Sequence, residues 1–151
     1  MADDMLASPL RSPFSDLLST TLNRPAAGLG PELVVNGSFA TDTAWTKGTG
    51  WTIAAGVASA VATGASALSQ VIAALVPGRT YRVTYSITAQ TVAGDGIAFF
   101  VGTVPQSTPR TGVGTYTQDM VCGAGTSFQF NAAVSGTWEG SIDNVSVRQV
   151  I

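Results

Sequence analysis

From residue 32 onward the chain carries six carboxylates, Glu32, Asp42, Asp95, Asp119, Glu139 and Asp143. Hydrolysis of a glycosidic bond needs two such groups facing across a cleft, and Glu139 with Asp143 is one conceivable pair. Nothing in their surroundings marks them as buried or paired, so they read as solvated surface groups. There is no histidine, which removes the commonest general base and the usual serine–histidine arrangements. The single cysteine, Cys122, cannot complete a zinc or copper site alone. Gly123-Ala124-Gly125 lacks the lysine and the strand–helix setting of a phosphate loop. The expectation is a non-enzymatic protein with no metal site and no cofactor. Cys122 reads as a small buried hydrophobe on a strand rather than a reactive thiol.

The aromatic residues offer a different chemistry. An exposed ring flanked by polar groups can stack on a sugar. Trp45, Trp51, Trp138 and Tyr116 are the candidates. Trp45 and Trp51 are separated by Thr46-Lys47-Gly48-Thr49-Gly50, a flexible stretch able to turn one ring outward. If a sugar is held, Trp45 is the expected platform, with Asp42 or Lys47 supplying hydrogen bonds. The competing reading places Trp45 and Trp51 at the edge of the core and makes Trp138 a plug before the last strand. Tyr116 alternates with polar neighbours, which leaves its side open. Asn36-Gly37-Ser38 and Asn144-Val145-Ser146 match the glycosylation pattern, a weak signal.

Charge narrows the partners. Only 11% of the 151 residues are charged, the net charge is −2 and the seven basic residues are scattered. No basic stripe exists to neutralise phosphates, so nucleic acid is not expected as a partner. No apolar run approaches the ~20 residues of a membrane helix. The opening, MADDMLASPLRSPF, is acidic where an export signal is basic, so neither export by a standard signal nor membrane insertion is expected.

These side chains must be positioned by elements whose character changes near Gly28-Leu29-Gly30-Pro31. Residues 1–30 read as a docking arm and residues 31–151 as a β domain. In the arm Ser12 can cap a short helix and Pro13 suits its first position. Phe14, Leu17, Leu18 and Leu22 then share one face, and Arg24-Pro25 ends it. Met5, Leu6 and Leu10 lie upstream in an extended piece. A helix of about three turns is marginal alone in water, so these seven apolar residues are expected to anchor the arm on its own domain or on a partner.

The remainder has the pattern of an all-β protein. Strands are expected at Leu33–Val35, Trp51–Ala55, Val57–Thr63, Ala67–Val76, Arg79–Ala89, Ile97–Gly102, Thr115–Cys122, Ser127–Val134 and Glu139–Val150. Tyr81, Val83, Tyr85 and Ile87 alternate with Arg82, Thr84, Ser86 and Thr88, the period of two of a half-buried strand. A helix over Ala65–Leu75 is the one competing assignment. Many short strands between turn signals point to a jelly-roll β-sandwich.

Four motifs occur in order: Leu33-Val34-Val35-Asn36-Gly37-Ser38-Phe39, then Trp45 and Gly50-Trp51, then Gly78-Arg79-Thr80-Tyr81-Arg82-Val83-Thr84-Tyr85, then Gly140-Ser141-Ile142-Asp143-Asn144-Val145-Ser146-Val147. Over about residues 32–150 the chain resembles the jelly-roll carbohydrate-binding-module-like domains, similar to families four and nine, variants of which recur in virion proteins of tailed bacteriophages. The resemblance implies two possibilities, glycan binding and a structural calcium. In such relatives an acidic residue often follows the Asn-Gly-x-Phe motif; here that place is Ala40, which argues against calcium, although Asp143 offers one oxygen.

On this reading the leading expectation is a bacteriophage virion structural protein that decorates or cements the capsid. Its arm would anchor on other virion proteins, the major capsid protein first among them, after assembly in the host cytoplasm. A homo-oligomer, preferably a trimer, is expected from the symmetry of such assemblies. The competing expectations are a tail-fibre or receptor-binding protein that holds host glycans, and a free carbohydrate-binding protein.

Overall fold

The computed structural model describes residues 27–61, 67–103, 106–132 and 137–151. The arm residues Met5, Leu6, Leu10, Phe14, Leu17, Leu18 and Leu22, and the expected short helix, lie outside the described residues.

The described chain is all β. Its strands are β1 (Leu29–Glu32), β2 (Thr46–Lys47), β3 (Trp51–Ala54), β4 (Val57–Ala60), β5 (Ala67–Val71), β6 (Thr80–Val92), β7 (Ala98–Val101), β8 (Gly114–Val121), β9 (Ser127–Asn131) and β10 (Glu139–Val150). They form two sheets. One runs β3-β4-β10-β6-β8, with β1 also paired to β10; the other runs β2-β5-β9-β7. The first strand to form a ladder thus begins at Leu29, inside the stretch read as arm.

The core lies between the sheets. From β6 it takes Tyr81, Val83, Tyr85 and Ile87, all buried, while Arg82, Thr84 and Ser86 face outward. Opposite them Leu68, Phe99, Phe128 and Phe130 are buried. Tyr85 meets Phe130 edge-on at 5.1 Å between ring centres, and Phe128 meets Phe130 at 5.2 Å. Each such side chain contributes about 1.5–3 kcal/mol by leaving water, and each edge-on aromatic pair adds about 0.5–1.5 kcal/mol.

The last strand carries a one-residue correction. Ile142, Val145 and Val147 are all buried, although an unbroken period of two cannot put residues 142 and 145 on one face. The ladder to β6 shifts register between Asp143 and Ser146, and Asn144 sits at φ 53°. Asp143 secures this bulge, accepting the Asn144 amide at 2.6 Å and its side-chain amide at 3.2 Å. The extra residue returns the hydrophobic set to the core face.

Three expectations need correction. The first strand is Leu29–Glu32, not Leu33–Val35. Leu33 still donates to the Val147 carbonyl at 3.0 Å, but the Val34 amide is taken by the Glu32 carboxylate at 3.1 Å and the Val35 amide by Gln70 Oε1 at 2.9 Å. Side chains thereby end the ladder. The strand beginning at Ala67 stops at Val71, where the Ile72 amide turns to the Thr126 carbonyl at 2.7 Å. The competing helix there is excluded, because Ala67 to Val71 pair residue by residue with Asn131 to Ser127.

Candidate functional site

The residues expected to hold a sugar do not converge as a platform. Asp42 and Lys47 are brought together as an exposed ion pair. Trp45 between them turns inward and is only 8% exposed. Its ring lies 5.3 Å from Phe39 and 6.2 Å from Phe128, and its indole N–H donates to the Asn36 carbonyl at 3.1 Å. Trp51 and Trp138 are buried as well, so the core reading of the tryptophans holds. Tyr116 faces the inside of β8, half-buried. Its hydroxyl donates to the Gly112 carbonyl at 2.7 Å, and the Arg110 guanidinium lies 5.2 Å from its ring centre. Cys122 is buried and free, and burial pushes its thiol up from the ordinary value.

The carboxylates are engaged separately. Glu32 accepts from the Leu33, Val34 and Val147 amides, from the Ser146 hydroxyl at 2.5 Å and from Arg148 at 3.3 Å. Burial opposes its ionisation, but the bonds from Ser146, Val147, Val34 and Arg148 outweigh that and hold its carboxyl below the usual value. Asp119 takes a two-pronged contact from Arg82 at 2.7 and 2.8 Å, which holds it low. Glu139 and Asp143 stand four residues apart along one strand, roughly 13 Å at the rise of extended chain, and Asp143 is occupied by its own bulge. Among the described residues no group of three or more Cys, Asp or Glu could hold a metal ion.

A site appears elsewhere, on the outer face of the larger sheet where β4, β10 and β6 run side by side. The β10–β6 ladder slips twice there, between Glu139 and Gly140 and between Ser141 and Ile142. The slips open a shallow hollow of about 190 Å³ lined by Ser59, Ala60, Val61, Ala89, Thr91, Glu139, Gly140 and Ser141. Thr91 donates to Glu139 Oε1 at 2.7 Å. The Ser59 and Ser141 hydroxyls share a hydrogen bond of 2.7 Å, and Thr88 donates to the Ser141 carbonyl at 3.3 Å. Beneath the hollow lies Trp138, whose indole N–H donates to Gln90 Oε1 at 3.2 Å. A Cβ on Gly140 would come within 2.6 Å of that ring, so glycine is required for the indole to underlie the strand.

Chemically the hollow offers one carboxylate acceptor and three hydroxyls, able to donate or accept, over small apolar side chains. This arrangement suits a neutral ligand rich in hydroxyl groups. Among the described residues lining it, Glu139 is the one carboxylate. The volume lies below the ~300 Å³ at which drug-sized pockets begin, so it fits about one ring of such a ligand. Sequence reasoning named Glu139 only as a carboxylate and missed Ser59, Thr91 and Ser141. Their grouping follows from register slips, which leave no mark in the pattern of residue types.

No protein-family model matches the chain, and no curated protein matches it. Solved structures do resemble it. A family 4 carbohydrate-binding module superposes with a TM-score of 0.53 at 15% identity, over 77% of this chain and 99% of that one. A mutant family 29 carbohydrate-binding module, complexed with mannohexaose, gives 0.50 at 16% identity, over 82% and 92%. The enzymatically active domain of tailspike protein 4 from bacteriophage CBA120 gives 0.50 at 19% identity, over 79% of this chain and 21% of that one. At these identities the likeness speaks for the fold: the β domain has the sandwich architecture of the carbohydrate-binding modules.

Proposed function

We propose that the β domain is a non-catalytic glycan-recognition module of a bacteriophage virion protein, holding one sugar ring in the hollow between β4, β10 and β6. The observation that carries this reading is the grouping of Glu139, Thr91, Ser59 and Ser141 over an apolar floor. The likeness to a module complexed with mannohexaose and to a phage tailspike domain supports it. Sugar hydroxyls would bond to Glu139 and the serine pair, while Val61 and Ala89, on the exposed face, lie against the ring's apolar face.

The test is a glycan array, followed by calorimetry on the best ligand. Glu139→Ala is expected to weaken binding at least tenfold, since hydrogen bonds to a charged group are worth about 1.5–3 kcal/mol. Ser141→Val should weaken it further. Unchanged affinity in both variants would sink the assignment of the hollow, and an array with no hits would sink the function.

A second reading, capsid decoration through the arm, is favoured by the way the chain enters the sandwich. Gly28 is bonded to Ile151, Ile151 amide to Gly28 carbonyl at 2.9 Å, so the first described residues enter the sandwich beside the end of β10. On this reading removing residues 1–26 leaves a folded domain that no longer attaches to particles. Quantitative mass spectrometry of purified virions separates the two placements: hundreds of copies per particle mean capsid decoration, and a few to a few dozen mean a tail or fibre.

A further inference from the structure

The edges of the two sheets are not alike. β2 has two residues and β3 has four. β7 is covered along part of its length, where Ile97 bridges Arg110, Phe100 bridges Gln106 and Ser107 donates to the Phe99 carbonyl at 2.8 Å. β8 differs from all of these. It runs eight residues, pairs β6 without a register shift from Gly114 to Val121, and among the described residues has no strand on its other side. It contains no proline, lysine or bulge, and its one charged residue, Asp119, is paired with Arg82 on its own sheet.

Its free side can be read from the ladder. The Cys122 amide donates to the Arg79 carbonyl at 2.8 Å, and the same register continues through Met120–Tyr81, Gln118–Val83 and Tyr116–Tyr85. Alternation in an antiparallel pair then turns the backbone groups of Thr115, Thr117 and Asp119 away from β6, toward the open edge. The side chains of these three residues are already tied back. Thr115 bonds Ser86 at 2.8 Å, Thr117 bonds Thr84 at 3.0 Å and Asp119 is neutralised by Arg82. Among the described residues the edge is therefore ordered, without unpaired charge and open.

We infer that β8 is the docking edge for a second copy of this chain, the two strands pairing antiparallel about a two-fold axis through Thr117. The stripe of outward residues selects that occupant because it is nearly its own complement. With Thr117 opposite Thr117 of the other copy, Thr115 faces Asp119, where a hydroxyl meets a carboxylate rather than like charges meeting each other. At both ends Val113, just before the strand and 65% exposed, falls beside Val121, 50% exposed. A symmetric pair is the commonest closed assembly, and here it would join the two larger sheets into one.

Sedimentation velocity of the full chain, from micromolar to several hundred micromolar, tests this inference. The expected result is a reversible monomer–dimer equilibrium. Thr117→Pro removes an amide that β6 does not use, in a place where an edge strand tolerates proline, and should weaken dimerisation at least tenfold with the β-sheet circular dichroism unchanged. Thr117→Lys, which sets like charges together at the axis, should do the same and serves if the proline variant fails to fold. A chain that stays monomeric throughout the range overturns the inference. So does an oligomer that survives both substitutions, since it would be held elsewhere.

Discussion

The amide of Val145 donates to the carbonyl of Gly37 at 2.9 Å, joining the turn that follows β1 to the bulge of β10. Two motifs separated by more than a hundred residues are thus one structure. Asn36 takes φ 55° and fastens the turn by donating to the Thr41 and Thr43 carbonyls at 2.7 and 3.0 Å. Gly37 passes so close to β10 that a Cβ there would lie 2.0 Å from the Val145 oxygen. Gly37→Ala should force the turn off the strand and cost about 3 kcal/mol or more, within the range of severe single substitutions. Asn36→Ala, which loses both bonds and the residue type best suited to a left-handed backbone, should cost about 2 kcal/mol. Urea unfolding measures both, and a Gly37→Ala loss below about 1 kcal/mol would contradict the close approach.

Glu32 ties the start of the sandwich to its last strand, and its carboxyl is held low in the folded state. A group with a depressed folded value binds its proton more readily when unfolded. Its contribution is present above the ordinary carboxylate value near 4.5 and is lost as pH falls through the lower folded value. Unfolding midpoints should therefore drop on the acid side of pH 4.5. Glu32→Gln should be less stable than the parent at pH 7 and show a shallower fall between pH 5 and 3. Parallel pH profiles for parent and variant would refute this role. Asp119, held low by Arg82, acts in the same direction but is exposed and contributes little.

Much of this architecture is legible in the sequence because its longest strands obey the simplest rule. β6 alternates from Thr80 to Ile87, and β10 coincides with its expected bounds. Where expectation and structure part, a side chain replaces backbone. Glu32 and Gln70 take the amides that would have made Leu33–Val35 a strand. β2 escapes notice because two residues carry no period. The bulge at Asn144 reverses inside and outside within one strand, which the residue types allow but do not announce. The hollow at Glu139 and Ser141 is less legible still. It arises where one ladder, β10–β6, slips twice beside β4, a property of three strands distant in sequence.

Two core tyrosines on one strand give a matched comparison. Tyr81 receives the Val76 amide at 2.9 Å and donates to the Ala74 carbonyl at 3.3 Å. Tyr85 is equally buried, yet among the described residues its hydroxyl has no hydrogen-bond partner. Burial drives its ionisation far above the ordinary phenol range. Tyr81→Phe should cost about 1 kcal/mol by removing the hydroxyl that accepts the part-buried Val76 amide, whereas Tyr85→Phe should be neutral or stabilising by up to about 1 kcal/mol. Thermal melts of the two variants suffice, and equal destabilisation by both would refute the difference.

Trp45 decides between two uses of the same residue. A ring displayed to a sugar sits on the surface, so truncating it removes binding and leaves stability alone. The observed ring lies between Phe39 and Phe128 and spends its N–H on the Asn36 carbonyl, which also ties it to the turn at Gly37. Trp45→Ala should therefore cost about 3–5 kcal/mol, the range for deleting a buried aromatic side chain. The neighbouring Asp42→Ala breaks only an exposed ion pair and should change stability by no more than about 0.5 kcal/mol. Both are read by urea titration, with glycan affinity measured in parallel below the unfolding transition. A Trp45→Ala variant that keeps its stability but loses its ligand would move the sugar site from the hollow at Glu139 to the segment between β1 and β2. A variant that loses stability, yet binds normally while folded, would leave the hollow as the site.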